Sequence, residues 1–136
     1  MSELVVRPIG RVESTLTDTA SAPKQADEGA PPAALRLDPA FAAGTAGLAV
    51  GDRILVVTWL DRADRSVLSV HPRGDDARPL TGVFATRSPS RPNPIGLHEV
   101  TITRLDATVV EVDALEAVDG TPVIDLKPVL VADAAR

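Results

Sequence analysis

Apolar and polar residues alternate through most of the chain, and apolar positions at helical spacing hardly occur. Residues 4–12 predict a first strand, closed by Gly10 and interrupted by Pro8, a pairing that suits an edge or a bulge. Residues 17–34 are rich in Ala, Pro, Gly and charge and read as a long loop or lid. A short strand at 35–37 and a helical turn at 39–48 follow. Gly51-Asp52 is a turn signal before residues 53–60, an apolar run expected to be a strand buried on both faces. A turn at 62–65, alternation over 66–70, a Pro/Gly/Asp-rich loop at 71–79 and a strand at 80–85 come next. The C-terminal third is the clearest. Over 97–105, His98, Val100 and Ile102 share one face, while Leu97, Glu99, Thr101 and Thr103 share the other. Asp106-Ala107 makes a tight turn, and Val110, Val112 and Ala114 line one face of 108–114, so the two runs predict a hairpin. Asp119-Gly120 is another turn, and 122–129 a last strand. Seven or eight short strands with long loops, and no helix of length, predict an all-β, single-sheet, mainly antiparallel β-barrel.

The chain's 136 residues suit one domain. With no cysteine and two histidines, disulfides, thiolate chemistry and Cys-ligated metals are excluded, and no metal site is expected. No apolar run approaches the ~20 residues of a membrane span, and residues 1–11 lack a signal-peptide core, so a cytoplasmic protein is expected. The net charge of −5 argues against a surface that coats nucleic acid. Charge is nevertheless uneven: residues 61–91 hold six arginines against four aspartates, a local excess of +2. Twelve of the fourteen cationic side chains are arginine, the fork that matches carboxylate or phosphate, although an Ala/Arg/Asp/Pro-rich chain also follows from base composition alone.

Two segments can carry chemistry. Residues 82–96 read Gly-Val-Phe-Ala-Thr-Arg-Ser-Pro-Ser-Arg-Pro-Asn-Pro-Ile-Gly. Pro89, Pro92 and Pro94 fix φ and stiffen the loop, while Arg87 and Arg91 flank Ser88 and Ser90. This is either a carboxylate or phosphate site or a rigid barrel corner with solvated arginines. In residues 115–128, Asp119-Gly120-Thr121 forms a turn whose carboxylate can accept from backbone amides or a ligand hydroxyl. Asp125 and Lys127 stand two apart on one strand face, as a surface ion pair would.

Together these segments resemble the TsaA-like family of tRNA N6-threonylcarbamoyladenosine methyltransferases (TrmO), marked by G-x-F-A-T-R-S-x-x-R-P-N-P-I-G and a later D-G-T-P-V-x-D-x-K-P. Shorter matches at Pro8-Ile-Gly-Arg-Val12 and Pro23-Lys-Gln25 keep the family's order, so the resemblance spans about residues 6–130 and implies those as the domain's core. The resemblance implies a β-barrel homodimer that binds S-adenosyl-L-methionine and methylates N6 of threonylcarbamoyladenosine next to the tRNA anticodon. By motif, it assigns the cofactor to Pro23, Lys24 and Gln25, to Thr86, Arg87 and Ser88, and to Arg91, Asn93, Gly96 and Leu97. Leu115 with Asp119, Gly120 and Thr121 would close the pocket. Such a cofactor carries its own activated methyl group, which suits a chain poor in nucleophiles and histidine. Where many family members have a histidine, this chain reads Thr58-Trp-Leu-Asp61, so Asp61 is the candidate acceptor or base. Trp59 reads as core, and His98 as a satisfied inward or interface histidine. His71, Arg73 and Arg78 are the candidate substrate contacts, with tRNA as the expected partner. A small-molecule methyltransferase and a non-catalytic cofactor-binding module remain the alternatives.

Overall fold

The computed structural model describes residues 2–18 and 29–131. Eight strands form: β1 (Gly10–Glu13), β2 (Ala33–Leu37), β3 (Arg53–Trp59), β4 (Ser69–Val70), β5 (Thr81–Gly82), β6 (Ile95–Asp106), β7 (Val109–Val112) and β8 (Pro122–Pro128). Six of them close an antiparallel barrel in the order β1-β2-β7-β6-β3-β8, and β4 with β5 makes a separate two-stranded ribbon.

The alternation that predicts the strands is the alternation that fills the barrel. Ile54 and Val56 of β3, Val100 and Ile102 of β6, and Val110 and Val112 of β7 are all buried in one core. Burying such side chains stabilises by roughly 1.5–3 kcal/mol each before chain entropy is counted. The predicted hairpin is observed as β6 and β7, with Ala107 at φ 50° in its turn. Asp125 and Lys127 pair at 3.7 Å on the barrel wall, as their spacing predicts.

Three expectations are corrected. Residues 53–60 were expected to be buried on both faces, but β3 alternates: Ile54, Val56 and Thr58 are buried, and Leu55, Val57 and Trp59 are only half-buried on the outer wall. The reason is that a barrel has one interior, so one side of each strand meets water unless something else covers it. The first strand is β1 alone, rather than residues 4–12. Pro8 has no amide to donate, regular pairing with β8 begins at Gly10, and Leu4 and Val5 are 90% and 91% exposed. The strand expected over 80–85 is the two-residue β5 followed by the 3-10 turn Val83–Ala85, which the amide of Thr86 caps by donating to Val83.

Closure depends on Gly10, which sits between Leu37 of β2 and Val123 of β8. A Cβ there would fall 2.3 Å from the Arg36 carbonyl oxygen and 2.8 Å from Leu37 Cα, both backbone atoms. Gly10→Ala is therefore expected to lower unfolding stability by about 1–3 kcal/mol, read as a reduced midpoint in urea. Gly44→Ala, where nothing lies within 4 Å, should leave the midpoint nearly unchanged.

Candidate functional site

Antiparallel pairing of β1 with β8, and of β3 with both β6 and β8, gathers four strand termini at one end of the barrel. The ends of β1 and β3 lie there with the starts of β6 and β8, so the loops that carry both motifs emerge on the same side.

The motif loop before β6 is organised by one of its own arginines. Arg91, partly buried, donates from Nη1 to the carbonyls of Thr86 (3.1 Å) and Ser88 (3.0 Å), and from Nη2 to that of Val83. Three prolines leave this loop few amides to satisfy its carbonyls, and the guanidinium fork takes that place. Thr86 Oγ1 donates to the Val83 carbonyl and accepts from the Ser88 amide. Arg87 differs. It is exposed, and its one hydrogen bond among the described residues is a 3.4 Å contact to the Leu97 carbonyl. Most of its five donors therefore face solvent beside Leu97, an apolar side chain that is itself 45% exposed.

The turn after β3 is tied to this loop. The Leu60 amide donates to the Pro94 carbonyl at 2.8 Å, which sets exposed Asp61 beside the loop with no hydrogen-bond partner among the described residues. Arg62 reaches back to the Thr17 carbonyl at 3.1 Å. Ser66 donates to Asp64 through its hydroxyl and amide, at 2.6 and 2.8 Å, and these bonds hold the Asp64 carboxyl below its ordinary range. The tightened turn delivers Arg65, which sequence reasoning missed. Its guanidinium lies 5.1 Å from the centre of the Trp59 ring and donates to Pro92 O (2.7 Å) and Asn93 Oδ1 (3.3 Å). Trp59 is therefore on the outer wall, stacked by an arginine, and is not a core residue.

The second motif is fastened to β1. Asp119 accepts from the Ser14 amide at 3.0 Å, the Asp119 amide donates to Leu16 at 2.6 Å, and the Gly120 amide donates to Val12 at 2.7 Å. Arg11 donates to the Gly120 carbonyl, and buried Thr121 turns its hydroxyl onto the Val118 carbonyl at 2.7 Å. Leu115 is fully buried in the barrel core.

Beneath both motifs lies a buried polar group. His98 Nε2 is 2.7 Å from Thr58 Oγ1, and His98 Nδ1 is 2.5 Å from Glu116 Oε1. Thr58 is 0% and His98 5% exposed. The inward, satisfied histidine is as the sequence predicts. Its carboxylate partner was missed, because the two are 18 positions apart and only the closed barrel brings them together. Gly96 makes room for the ring: a Cβ there would stand 2.4 Å from Thr58 Oγ1 and 2.7 Å from His98 Nε2. A hydroxyl, an imidazole and a carboxylate in series have the order of a nucleophile, its base and an orienting group. Thr58 is fully covered, however, so no substrate reaches its Oγ1.

His71, Arg73 and Arg78 gather apart from these groups, on the loop joining β4 and β5. His71 Nδ1 donates to the Arg78 carbonyl at 2.8 Å, and Arg73 adopts φ 58° at the loop tip. Arg78 also pairs with Asp75 at 3.7 Å. Pro23, Lys24 and Gln25 lie outside the described residues. Two cavities, of about 360 and 400 Å³, open where β1 begins and β2 ends, and none of the residues assigned to the cofactor lines either. The described motif residues lie at the other end of the barrel, where Arg87, Asn93, Leu97, Asp119 and Gly120 are exposed, with no hydrogen bond among the described residues running directly from the Arg87 loop to the Asp119 turn. Among the described residues no group of His, Cys, Asp and Glu could hold a metal ion, and no helix is long and apolar enough to cross a membrane.

Comparison with known proteins places this geometry. A probable S-adenosyl-L-methionine-binding protein of Methanothermobacter thermautotrophicus is 39% identical over 126 residues, 93% of this chain and 90% of the relative. A similarly described protein of Methanocaldococcus jannaschii is 47% identical over 91 residues, 64% of this chain and 72% of the relative. The crystal structure of TrmO from Pseudomonas aeruginosa superposes with a TM-score of 0.74 at 29% identity, covering 98% of this chain. This chain spans 62% of that solved chain. Residues 11–133 match the tRNA-methyltransferase O N-terminal domain, and the chain belongs to that family.

Proposed function

We propose that this protein binds S-adenosyl-L-methionine at the motif end of the barrel and transfers its methyl group to N6 of threonylcarbamoyladenosine in tRNA. The observation that carries the reading is Arg87. It is a solvent-facing guanidinium held beside an exposed leucine by a loop whose other arginine is wholly engaged in keeping that loop in shape. A fork of donors next to an apolar wall fits an amino-acid carboxylate joined to a flat heterocycle. Family membership and relatives described as S-adenosyl-L-methionine-binding proteins support the same ligand. Bound there, the cofactor supplies an activated methyl on a sulfonium, so the chain needs no nucleophile of its own.

The remaining work belongs to the chain's residues. Arg87 orients the ligand carboxylate, Leu97 packs against the ring system, and the Asp119-Gly120-Thr121 turn forms the opposite wall. The acceptor nitrogen lies in a urea-like group, whose delocalised lone pair makes it a poor nucleophile. Asp61, with its carboxylate uncommitted, accepts that nitrogen's proton as the new bond forms. His71, Arg73 and Arg78, on their own projecting loop, contact the backbone of an unpaired stretch of RNA.

Titration calorimetry should show that wild type binds S-adenosylmethionine and that Arg87→Ala weakens binding about 10–100-fold, the effect of losing one charged hydrogen-bonding group. Equal binding by the two proteins removes Arg87 from the site. Labelled methyl should pass to tRNA from cells that make the threonylcarbamoyl modification and not to tRNA from cells that lack it. Asp61→Asn should lower kcat about 10²–10⁴-fold with cofactor affinity intact. Arg73→Ala with Arg78→Ala should instead raise KM and flatten the salt dependence. Labelling of a small-molecule extract without labelling of RNA points to the small-molecule enzyme. The exposed Phe84, Ile95 and Leu97 at the motif end favour a site completed by a second copy. Light scattering should then give about twice the 14.2 kDa chain mass, and a monomer that still binds tightly would exclude shared sites.

A further inference from the structure

We infer that His98 is a positioning residue: through Glu116 it holds the Asp119–Thr121 wall at a fixed distance from the Leu97 wall, and so sets the shape of the ligand site. The inference rests on the ligand site proposed above, and four features of the buried polar group carry it.

The first is where the group sits in the chain. His98 directly follows Leu97 on β6, and Glu116 directly follows Leu115 and precedes the Asp119 turn by three residues. The bond between them thus joins the two segments assigned to the ligand. The second is what else holds the second segment. Across residues 115–121 the other hydrogen bonds to the rest of the chain run to Arg11 and Val12 of β1, to Ser14 and Leu16 just beyond it and, from the Leu115 amide, to Pro31 before β2. All of those lie on the β1–β2 side of the barrel. Between Asp113, which bonds Thr101 of β6, and Val123, which pairs with Thr58 of β3, the Glu116–His98 contact is the tie among the described residues that draws these seven residues towards β6 and β3.

The third feature is that Glu116 depends on the ring. Oε1 meets His98, while Oε2 is buried and has no hydrogen-bond partner. A carboxylate with a single partner is oriented by that partner, and without it neither oxygen would have one among the described residues. The fourth is that the ring is itself oriented. With Glu116 accepting at Oε1, Nδ1 is the donor, and Nε2 lies 2.7 Å from the Thr58 hydroxyl, so each ring nitrogen has a partner. The β3–β8 register shifts between Val57 and Thr58, a bulge that re-aims side chains, and Gly96 opposite Thr58 leaves the ring its space.

The test uses the full chain with S-adenosylhomocysteine as probe, and reads both ligand affinity and amide exchange of the unliganded protein. His98→Leu keeps the volume and removes both ring nitrogens. It should weaken S-adenosylhomocysteine about ten-fold or more, and speed exchange of the Gly120 and Thr121 amides about ten-fold, with the Leu35 and Val110 amides unaffected. His98→Asn places an amide donor near the Nδ1 position and should bring affinity back to within about three-fold of wild type. A purely structural histidine would not be rescued in this way. If His98→Leu does not fold, Glu116→Met, which removes both carboxylate oxygens, asks the same question from the other side of the bond. Wild-type affinity together with wild-type exchange in either folded variant overturns the inference. So does a ring nitrogen spectrum in which Nδ1 of His98 carries no proton. Failure of the wild type to bind S-adenosylhomocysteine overturns the proposed function instead, because the exchange and ring measurements need no ligand.

Discussion

The seam between β1 and β8 is the constraint on which the rest of the molecule depends. It is short: Gly10 pairs with Val123 and Arg11 with Pro122, and Pro122 has no amide to lengthen it. What the ladder lacks, irregular bonds replace, from the Ile9 amide to Val123, from the Val12 amide to Thr121 and from the Gly120 amide to Val12. Those bonds turn the chain after β1 towards the Asp119 turn instead of away from it. A closed ring is therefore also the device that brings the N-terminal segment, the proline-rich loop and the Asp-Gly-Thr turn to one end. A barrel with this seam open would keep its hairpins and lose the gathering of its motifs.

Arg87 and Arg91 are four positions apart in one loop, and the fold gives them opposite tasks. A loop that is neither helix nor sheet must satisfy its carbonyls somehow, and one with three prolines has few amides of its own for the task. Arg91 takes on that role for Val83, Thr86 and Ser88, which leaves Arg87 directed outwards. Rigid loops of this kind lose less entropy when a ligand is bound, and the partly buried Arg91 is what makes this loop rigid.

Alternation made the β6–β7 hairpin and the inward faces of Val100, Ile102, Val110 and Val112 legible, because period-two patterns report directly on a strand with one dry side. The same rule misled at β3. Residues such as Val57 and Leu55 are apolar on the outer wall too, and a run of apolar residues does not say which face is inside. Both motif loops were legible as special from their prolines and paired charges. What the sequence could not supply were contacts between distant positions: Arg65 against Asn93, or Glu116 against His98. Each depends on the β3–β6 register, which is a property of the closed ring and of no local window.

The net charge of the chain does not describe how its charges are distributed. On the barrel wall, cations face carboxylates: Arg36 with Glu13, Arg53 with Glu99, Arg104 with Glu111 and Lys127 with Asp125. Each such pair is nearly silent at a distance. At the motif end, arginines bond instead to carbonyls: Arg11 to Gly120, Arg62 to Thr17, Arg65 to Pro92, Arg87 to Leu97, and Arg91 to Thr86 and Ser88. A carbonyl satisfies the geometry of a guanidinium without cancelling its charge, so these side chains are held in place and still project a positive field. Five arginines there stand against Asp61, Asp64 and Asp119 at the same end, so within about a Debye length, roughly 10 Å at 0.1 M salt, the local balance differs from the net charge of the molecule. The net charge of −5 is thus compatible with one cationic end. It is the choice of partner for each arginine, carbonyl or carboxylate, that decides where an anion is drawn.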